Sequence, residues 1–394
     1  MRGDGVTGSR RLVVIPSDPI ATYERAGYDA LDRYFNPLRF FEEVFAVSPL
    51  ERGERRAHGL TIIGVTRARM GSVLRELRPD VVRAYGGHWP AYLACRHRLD
   101  GVPVLVSVHD THESMVRRWV RYADLVLCVS RAVERRVLAF GAEPRRIRLL
   151  PNRVDTTVFR RVTDPAAIGT VASRFPPGRH ILHVGRKTAQ KNLDTLIGAL
   201  AMLPEEYSAV FVGMGEDASY RALAARLGVA DRCFWLEAVA NADLPVWYSW
   251  SDCFCVPSRW EGFGTVFIEA AACGAAIVTS DIAPMNEFLT HGQSACLVRT
   301  YEDPAALAAA IRRASEDEAY RSLIAAGALE VAGRFERTRV DALEVDMYRE
   351  ALALAPPRPR RRLELAVWRA EEAIRGVVRG PFNSVRRAVR ARVG

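Results

Sequence analysis

The sequence predicts an α/β protein built from two consecutive doubly wound domains. Short apolar strands alternate with amphipathic helical stretches along almost the whole chain, which is the pattern of parallel sheets covered by helices. The alternation is interrupted at residues 153–178, where Val162-Thr163-Asp164-Pro165 and Phe175-Pro176-Pro177-Gly178 supply loop and linker chemistry. At 394 residues the chain suits two or three domains better than one.

The first series of strands is expected at RLVVIP (11–16), EVFAVS (43–48), LTIIGV (60–65), DVVRAYG (80–86), VPVLVSVH (102–109), LVLCVS (125–130) and RIRLLPN (146–152). Helical patterning fills most of the gaps, as at 69–77 and 131–140. The second series reads HILHVG (180–185), AVFVG (209–213), CFWLE (233–237), DCFCVP (252–257) and AAIVTS (275–280). DALEVDMYREALAL (341–354) has the form of a closing helix, stopped by Pro356, Pro357 and Pro359. The expected organisation is therefore a first domain at 1–165, a second at 166–340, a closing helix at 341–355 and a tail at 356–394. A ligand would sit between the domains, at the carboxyl ends of the strands.

Composition narrows the class. Hydrophobic content of 49% with 26% charged residues is that of a soluble globular protein. No apolar run approaches the ~18 residues that cross a bilayer. The first, Leu12 to Ile15, is too short for a signal-peptide core, so a cytoplasmic protein is expected. The seven cysteines form no CxxC pair, and Cys253 and Cys255 read as small core residues of a strand. No His/Cys cluster suggests a metal site. Residues 357–394 hold eleven Arg and three Glu, so +8 of the formal +10 lies there and +2 remains for residues 1–356. A nearly neutral body with a basic tail is not a uniformly basic nucleic-acid binder. Only Lys187 and Lys191 among the 56 basic residues are lysines, and each marks a position that wants a compact ammonium.

The strongest chemical signal is EGFGTVFIEAAACG, residues 261–274, which follows the strand DCFCVP. Gly262 and Gly264 let the backbone approach a ligand closely. The helix that starts there aims free N–H groups and a positive dipole end at the ligand, which suits a diphosphate held by Gly262, Phe263, Gly264, Thr265 and Val266. Glu261 stands just before this anion cradle, and Glu269 lies one turn beyond Thr265 on the same helical face. Carboxylates beside a phosphate site are repelled unless they bind another part of the ligand, and hydrogen bonds to sugar hydroxyls meet that requirement.

Two Glu separated by seven residues around GFG, followed by EAAACGAAIVTSD, resemble the signature of glycosyltransferase family 4. The resemblance covers roughly residues 80–354. It implies the GT-B fold, two Rossmann-like domains facing across a cleft, with the donor held mostly by the second. HVGRKTAQKN (183–192) is similar to the family's strand-loop carrying an Arg and a Lys five apart, here Arg186 and Lys191. These would neutralise the departing diphosphate, so that no metal or other cofactor is required. VLVSVHD (104–110) resembles the strand whose terminal His approaches the donor sugar, here His109. The sequence departs from the family pattern at PSDPIATYERAG, where many relatives carry a Gly-Gly loop, and at Arg153 and Glu237, where Gly is usual.

The implied activity is transfer of a sugar from a nucleoside-diphosphate sugar to an acceptor hydroxyl, with retention, in polysaccharide, glycolipid or other envelope glycan synthesis. Glu261, His109, Arg186 and Lys191 form the expected catalytic set, and Glu269 is expected to bind the ribose. An inactive scaffold and a sugar-nucleotide epimerase on the same fold are the alternatives. A nicotinamide-dependent oxidoreductase is disfavoured by the absence of GxGxxG after the first strand. In the tail, Leu363, Val367, Ala370, Ile374 and Val377 recur near helical spacing among arginines, with Trp368 and Phe382 adding bulk. A basic amphipathic segment of this kind suits an anionic membrane surface, where a lipid-linked acceptor would be met. The rival readings are a helix docked on the first domain and a disordered basic tail.

Overall fold

The computed structural model describes residues 10–25, 31–354, 366–368 and 370. Two sheets organise it. The first contains β1 (Arg11–Ile15), β2 (Glu43–Ser48), β3 (Glu54–Ala57), β4 (Leu60–Gly64), β5 (Val81–Tyr85), β6 (Val104–Val108), β7 (Leu125–Cys128) and β8 (Ile147–Leu149). Their spatial order is β3-β4-β2-β1-β5-β6-β7-β8, and only the edge strand β3 is antiparallel to its neighbour. The second contains β9 (Arg179–Val184), β10 (Tyr207–Val212), β11 (Cys233–Leu236), β12 (Cys253–Val256), β13 (Ile277–Ser280) and β14 (Cys296–Val298), in the order β11-β10-β9-β12-β13-β14 with every pair parallel.

Parallel strands with helices on both faces are buried on both sides, so their sequences run apolar without alternation, as LVVI in β1 and CFCV in β12 do. Cys253 and Cys255 are fully buried in the second core. Each strand expected from the sequence is present to within a few residues. Two strands escaped that reading. β3 is ERRA, whose first three residues are exposed and charged, as suits a sheet edge that must not recruit another chain. β14 is three residues long. The expected linker also contains a helix, Pro165–Ala172, started by Asp164, whose carboxylate accepts the Ala166 N–H. It packs on the helix Leu244–Trp250.

Both faces of the first sheet are covered. Val13, Ile15, Val82 and Ala84 face a core shared with the helices Met70–Leu77, Trp89–Arg96 and Arg131–Ala139. Leu12, Val14 and Val81 face the other way, onto the helix Leu31–Phe35 and the closing helix Arg337–Ala353. The closing helix begins four residues earlier than expected because the Glu336 carboxylate caps the N–H groups of Thr338 and Arg339.

One polar network joins this helix to the first domain. Glu344 is fully buried and pairs with Arg83 of β5 and with Arg153, which also pairs with Asp341. Arg83 donates further to Ser107 Oγ at 2.9 Å and to Tyr348 Oη at 2.6 Å. Burial works to raise the Glu344 pKa, but Arg153 and Arg83 outweigh it and hold the carboxyl below its ordinary range. Arg153, which replaces the usual Gly, is therefore one half of an inter-element ion pair.

The basic tail lies outside the described residues apart from 366–368 and 370. Within that piece Trp368 is buried, at 3% exposure. Gly27 of the loop that replaces the Gly-Gly pair also lies outside them. Among the described residues, no helix is long and apolar enough to cross a membrane. Glu344→Ala should lower unfolding stability by about 3–5 kcal/mol, because it leaves the buried Arg83 guanidinium without a carboxylate and takes one of two from Arg153. Chemical denaturation measures this, and a loss below about 1 kcal/mol would contradict the assigned role of the network.

Candidate functional site

β9 and β12 are adjacent at the middle of the second sheet, and the chain leaves them toward opposite sides. Such a reversal opens a crevice at the carboxyl ends of the strands. The loop after β9 delivers Lys191 into it, and the loop after β12 delivers Glu261. Lys191 Nζ lies 2.5 Å from Glu261 Oε1, and both side chains are buried. Ser258 Oγ donates to the same carboxylate oxygen at 2.8 Å, and Gln190 Nε2 lies 3.4 Å from the other. Gln190 also donates to the Trp260 carbonyl at 2.9 Å, which ties the two loops together. Beneath Lys191 lies fully buried His183 at the end of β9. Burial, reinforced by the nearby lysine, pushes its imidazole down to about 3, so it stays neutral.

The other lysine has a different task. Lys187 Nζ donates to the carbonyls of Gly213 at 2.6 Å and Leu236 at 2.9 Å, closing the ends of β10 and β11. Arg186 is exposed at the rim and makes no ion pair among the described residues.

The helix after Glu261 spans Thr265–Ala272, and no side chain caps its first turn. Gly264 precedes it with φ +83°, a left-handed conformation that a Cβ would oppose by meeting Phe267 Cδ2 at 2.5 Å. Gly262 is glycine for a reason the sequence did not show. A Cβ there would lie 1.8 Å from the carbonyl oxygen of His109, so its bareness admits the first domain's backbone rather than a ligand. The Phe263 ring is turned into the core against Phe288 and Phe335, at 5.1 and 5.3 Å between centroids, so only its backbone is left for a donor. Val266 is half-buried and packs on the same core.

Several bonds cross the cleft. Ser130 Oγ donates to the Gly262 carbonyl at 2.7 Å, Thr111 Oγ1 to the Glu261 carbonyl at 3.3 Å, and Asn152 Nδ2 to Thr265 Oγ1 at 2.9 Å. Beside them lies a cavity of about 660 Å³ lined by Tyr85, His109, Arg153, Thr265 and Glu269, among others. Glu269 accepts from the Tyr248 hydroxyl at 3.1 Å, and burial raises its carboxyl to about 7 although that bond opposes the rise. His109 is exposed and lines the cavity. Crowding by the cavity walls, with the Arg83 and Arg153 guanidiniums nearby, holds its imidazole below the usual histidine range. Its ring stacks at 6.1 Å on Tyr85.

The fold thus brings Lys191 and Glu261 into contact, sets His109, Thr265 and Glu269 around one cavity, and leaves Arg186 at the rim. Sequence reasoning missed Ser258, Tyr248, Asn152 and the Arg83–Glu344 pair. Arg83 carried a legible signal, a lone cation inside the apolar run DVVRAY. Ser258 and Asn152, in turns, carried none.

Two parallel-sheet domains with charged loops facing a bare helix start across a crevice have the GT-B architecture. The solved structures agree on the fold. Anabaena HepE in complex with UDP-glucose superposes with a TM-score of 0.73 at 20% identity, over 87% of this chain and all of that one. Sucrose-phosphate synthase from Thermosynechococcus elongatus gives 0.71 at 19% identity, over 88% of this chain and all of that one. The family model "Glycosyl transferases group 1" matches residues 173–330, and "Glycosyltransferase Family 4" matches 37–158. The two matches together give the chain a likeness to glycosyltransferase family 4 in both of its domains. Among curated proteins it is 32% identical to a D-inositol 3-phosphate glycosyltransferase of Xylanimonas cellulosilytica, over 59% of this chain and 58% of that one. A Streptomyces bingchenggensis protein of the same name is 26% identical over 73% of each chain. In the first of these matches the chain spans a little under three fifths of the relative's length.

Gly262→Ala tests the contact across the cleft. The added methyl cannot coexist with the His109 carbonyl, so the domains must separate there or the loop must shift. Small-angle scattering should record an expanded particle, and an unchanged profile with unchanged stability would show that the contact does not persist in solution.

Proposed function

We propose that this protein transfers a hexose from a nucleoside-diphosphate sugar to an acceptor hydroxyl with retention of configuration, in glycan or glycolipid synthesis on the cytoplasmic side of a membrane. The observation that carries the reading is the buried Lys191–Glu261–Ser258 cluster at the switch point of the second sheet, beside an uncapped helix start. Residues 166–340 would hold the donor, and residues 1–165 would present the acceptor.

The diphosphate lies between Arg186, Lys191 and the backbone of residues 262–266. Lys191 and the helix start supply positive potential where charge develops as the sugar leaves, and no metal or other cofactor is needed. Glu261, oriented by Ser258, accepts hydrogen bonds from sugar hydroxyls. His109, neutral, approaches the sugar from the first domain. Glu269 receives the ribose hydroxyls. The acceptor oxygen attacks from the side the diphosphate leaves, and a phosphate oxygen takes its proton. HepE was crystallised with UDP-glucose, which makes that donor the first to try here. A donor screen by thermal shift, followed by hydrolysis and transfer assays, tests the reading. Nucleotide-sugar binding without turnover would favour an inactive scaffold, and isomerisation of the donor without acceptor would favour an epimerase.

Lys191→Ala should remove at least ~3 kcal/mol of transition-state stabilisation, more than about a hundredfold in turnover. Unchanged turnover would remove Lys191 from the site.

The two glutamates should separate cleanly. Calorimetry with the bare nucleotide should show a large loss for Glu269→Ala and little for Glu261→Ala, whose defect should lie in turnover. Ribose hydroxyls donate to an ionised carboxylate, so nucleotide affinity should rise with pH through about 7, where Glu269 loses its proton. Glu269→Gln should flatten that dependence. The same group affects stability in the opposite sense. Its pKa is raised from 4.5 to about 7 on folding, so its contribution is full below 4.5 and is lost as pH rises through 7.

A further inference from the structure

The cavity beside the candidate donor residues extends well into the first domain. It touches Thr265 and Glu269 on one side and Tyr34, Glu24 and His58 on the other. A file of rings joins the two sides. His109 stacks on Tyr85 at 6.1 Å, and Tyr85 lies 5.6 Å from Tyr34.

The first-domain side carries polar groups that the donor does not use. His58 occupies the turn between β3 and β4 with φ +52°, a left-handed conformation in which Gly or Asn is the usual residue. Its Nε2 donates to Glu24 Oε1 at 2.8 Å, and Arg55 Nη1 lies 3.5 Å from the same oxygen. The bond from His58 holds the Glu24 carboxyl below its ordinary range, so Glu24 is an ionised acceptor. Its other oxygen makes no hydrogen bond among the described residues. Midway along the file, Tyr85 is 4% exposed, and its hydroxyl has no partner among the described residues. An unpaired buried hydroxyl is costly, and a ligand hydroxyl in the cavity would satisfy it.

Charge decides which class of ligand enters. Three guanidiniums line the cavity, and each already meets a carboxylate: Arg83 that of Glu344, Arg153 those of Asp341 and Glu344, and Arg337 that of Asp155 at 3.2 Å. His58 is bonded to Glu24. Among the described lining residues, no cation is left for a further anion, whereas Glu24, Asp155 and Glu269 are acids. A phosphate entering here would displace one of these carboxylates or lie beside them without a counter-ion. Sugar hydroxyls meet no such obstacle. They donate to a carboxylate, and the apolar face of a sugar ring rests on an aromatic one.

We propose that Glu24, Tyr34 and Tyr85 form the acceptor subsite, and that it takes an uncharged sugar or cyclitol rather than a phosphorylated or carboxylated one. Glu24 and the Tyr85 hydroxyl bond hydroxyls of the acceptor, and Tyr34 supplies the ring on which it packs. The inference rests on the reading of His109 and Glu269 as the donor side of the same cavity.

Transfer assays with opposed acceptors test this. The donor is the nucleotide sugar that the thermal-shift screen selects. Octyl glucoside, octyl galactoside, octyl mannoside and myo-inositol are set against glucose 6-phosphate, mannose 6-phosphate, inositol 1-phosphate and glucuronic acid. The best uncharged acceptor should exceed the best charged one at least about tenfold in kcat/KM. Glu24→Ala should raise the KM for that acceptor at least about tenfold and leave nucleotide affinity unchanged. Tyr85→Phe removes only the unpaired hydroxyl. It should raise the acceptor KM severalfold without lowering the unfolding midpoint, a combination that a purely structural role does not give. A charged acceptor used as well as the uncharged ones overturns the proposal, as does an unchanged acceptor KM in both variants. Donor hydrolysis without transfer to any uncharged acceptor overturns it too, and leaves the donor site standing. Absence of nucleotide-sugar binding overturns the proposed function, and this inference with it.

Discussion

The carboxylate of Glu344 is the point on which the rest of the molecule depends. It is fully buried and can remain ionised only because two guanidiniums meet it there. They come from positions 261 and 191 residues earlier in the chain, so three distant segments share one locus. Each guanidinium also borders the cleft. The Tyr85 ring lies 4.6 Å beneath Arg83 and stacks in turn on His109. Asn152, the residue before Arg153, bonds Thr265 at the start of the candidate donor helix. The wall of the cavity and the start of the helix Thr265–Ala272 are thus held from the same anchor.

The two domains contribute different things to the cleft. Lys191, Glu261 and Ser258 come from the second, while the first offers a backbone surface, small hydroxyl and amide donors, and a neutral His109. The bonds that cross are few, chiefly those of Ser130, Thr111 and Asn152, with the Arg131 N–H donating to Glu287 at 2.7 Å. A hydrogen bond exchanged with water is worth about 1 kcal/mol net. A handful amounts to a few kcal/mol, comparable to what differential ligand binding supplies. The arrangement suits a closure that opens and re-forms during a catalytic cycle.

Much of this was legible in the sequence because burial on both faces writes a strand as an apolar run, and because EGFG followed by an apolar helix fixes both a conformation and a charge. β3 was illegible for the complementary reason, since an exposed edge strand carries ERRA and has no apolar period. The linker helix Pro165–Ala172 hid behind Gly169 and Thr170, poor helix formers that tolerate a short helix only against the neighbouring Leu244–Trp250. Gly262 was read as room for a ligand. The fold gives that room to the His109 carbonyl, a contact 153 residues away that no local pattern encodes. Arg153 looked like a departure and proved to be half of a pair whose other half lies in the last helix.

The chain passes between the two sheets twice, and the passages are not independent. Val154 N–H donates to the Phe335 carbonyl, and Arg337 N–H donates to the Val154 carbonyl, both at 2.9 Å, so outgoing and returning segments lie side by side. A single connector would act as a swivel, free to turn about its own axis. Two connectors joined edge to edge act as a leaf spring, compliant to bending across its flat face and stiff to torsion. The cleft can open like a book, but its halves are kept from rotating past one another, so the same residues face each other on every closure.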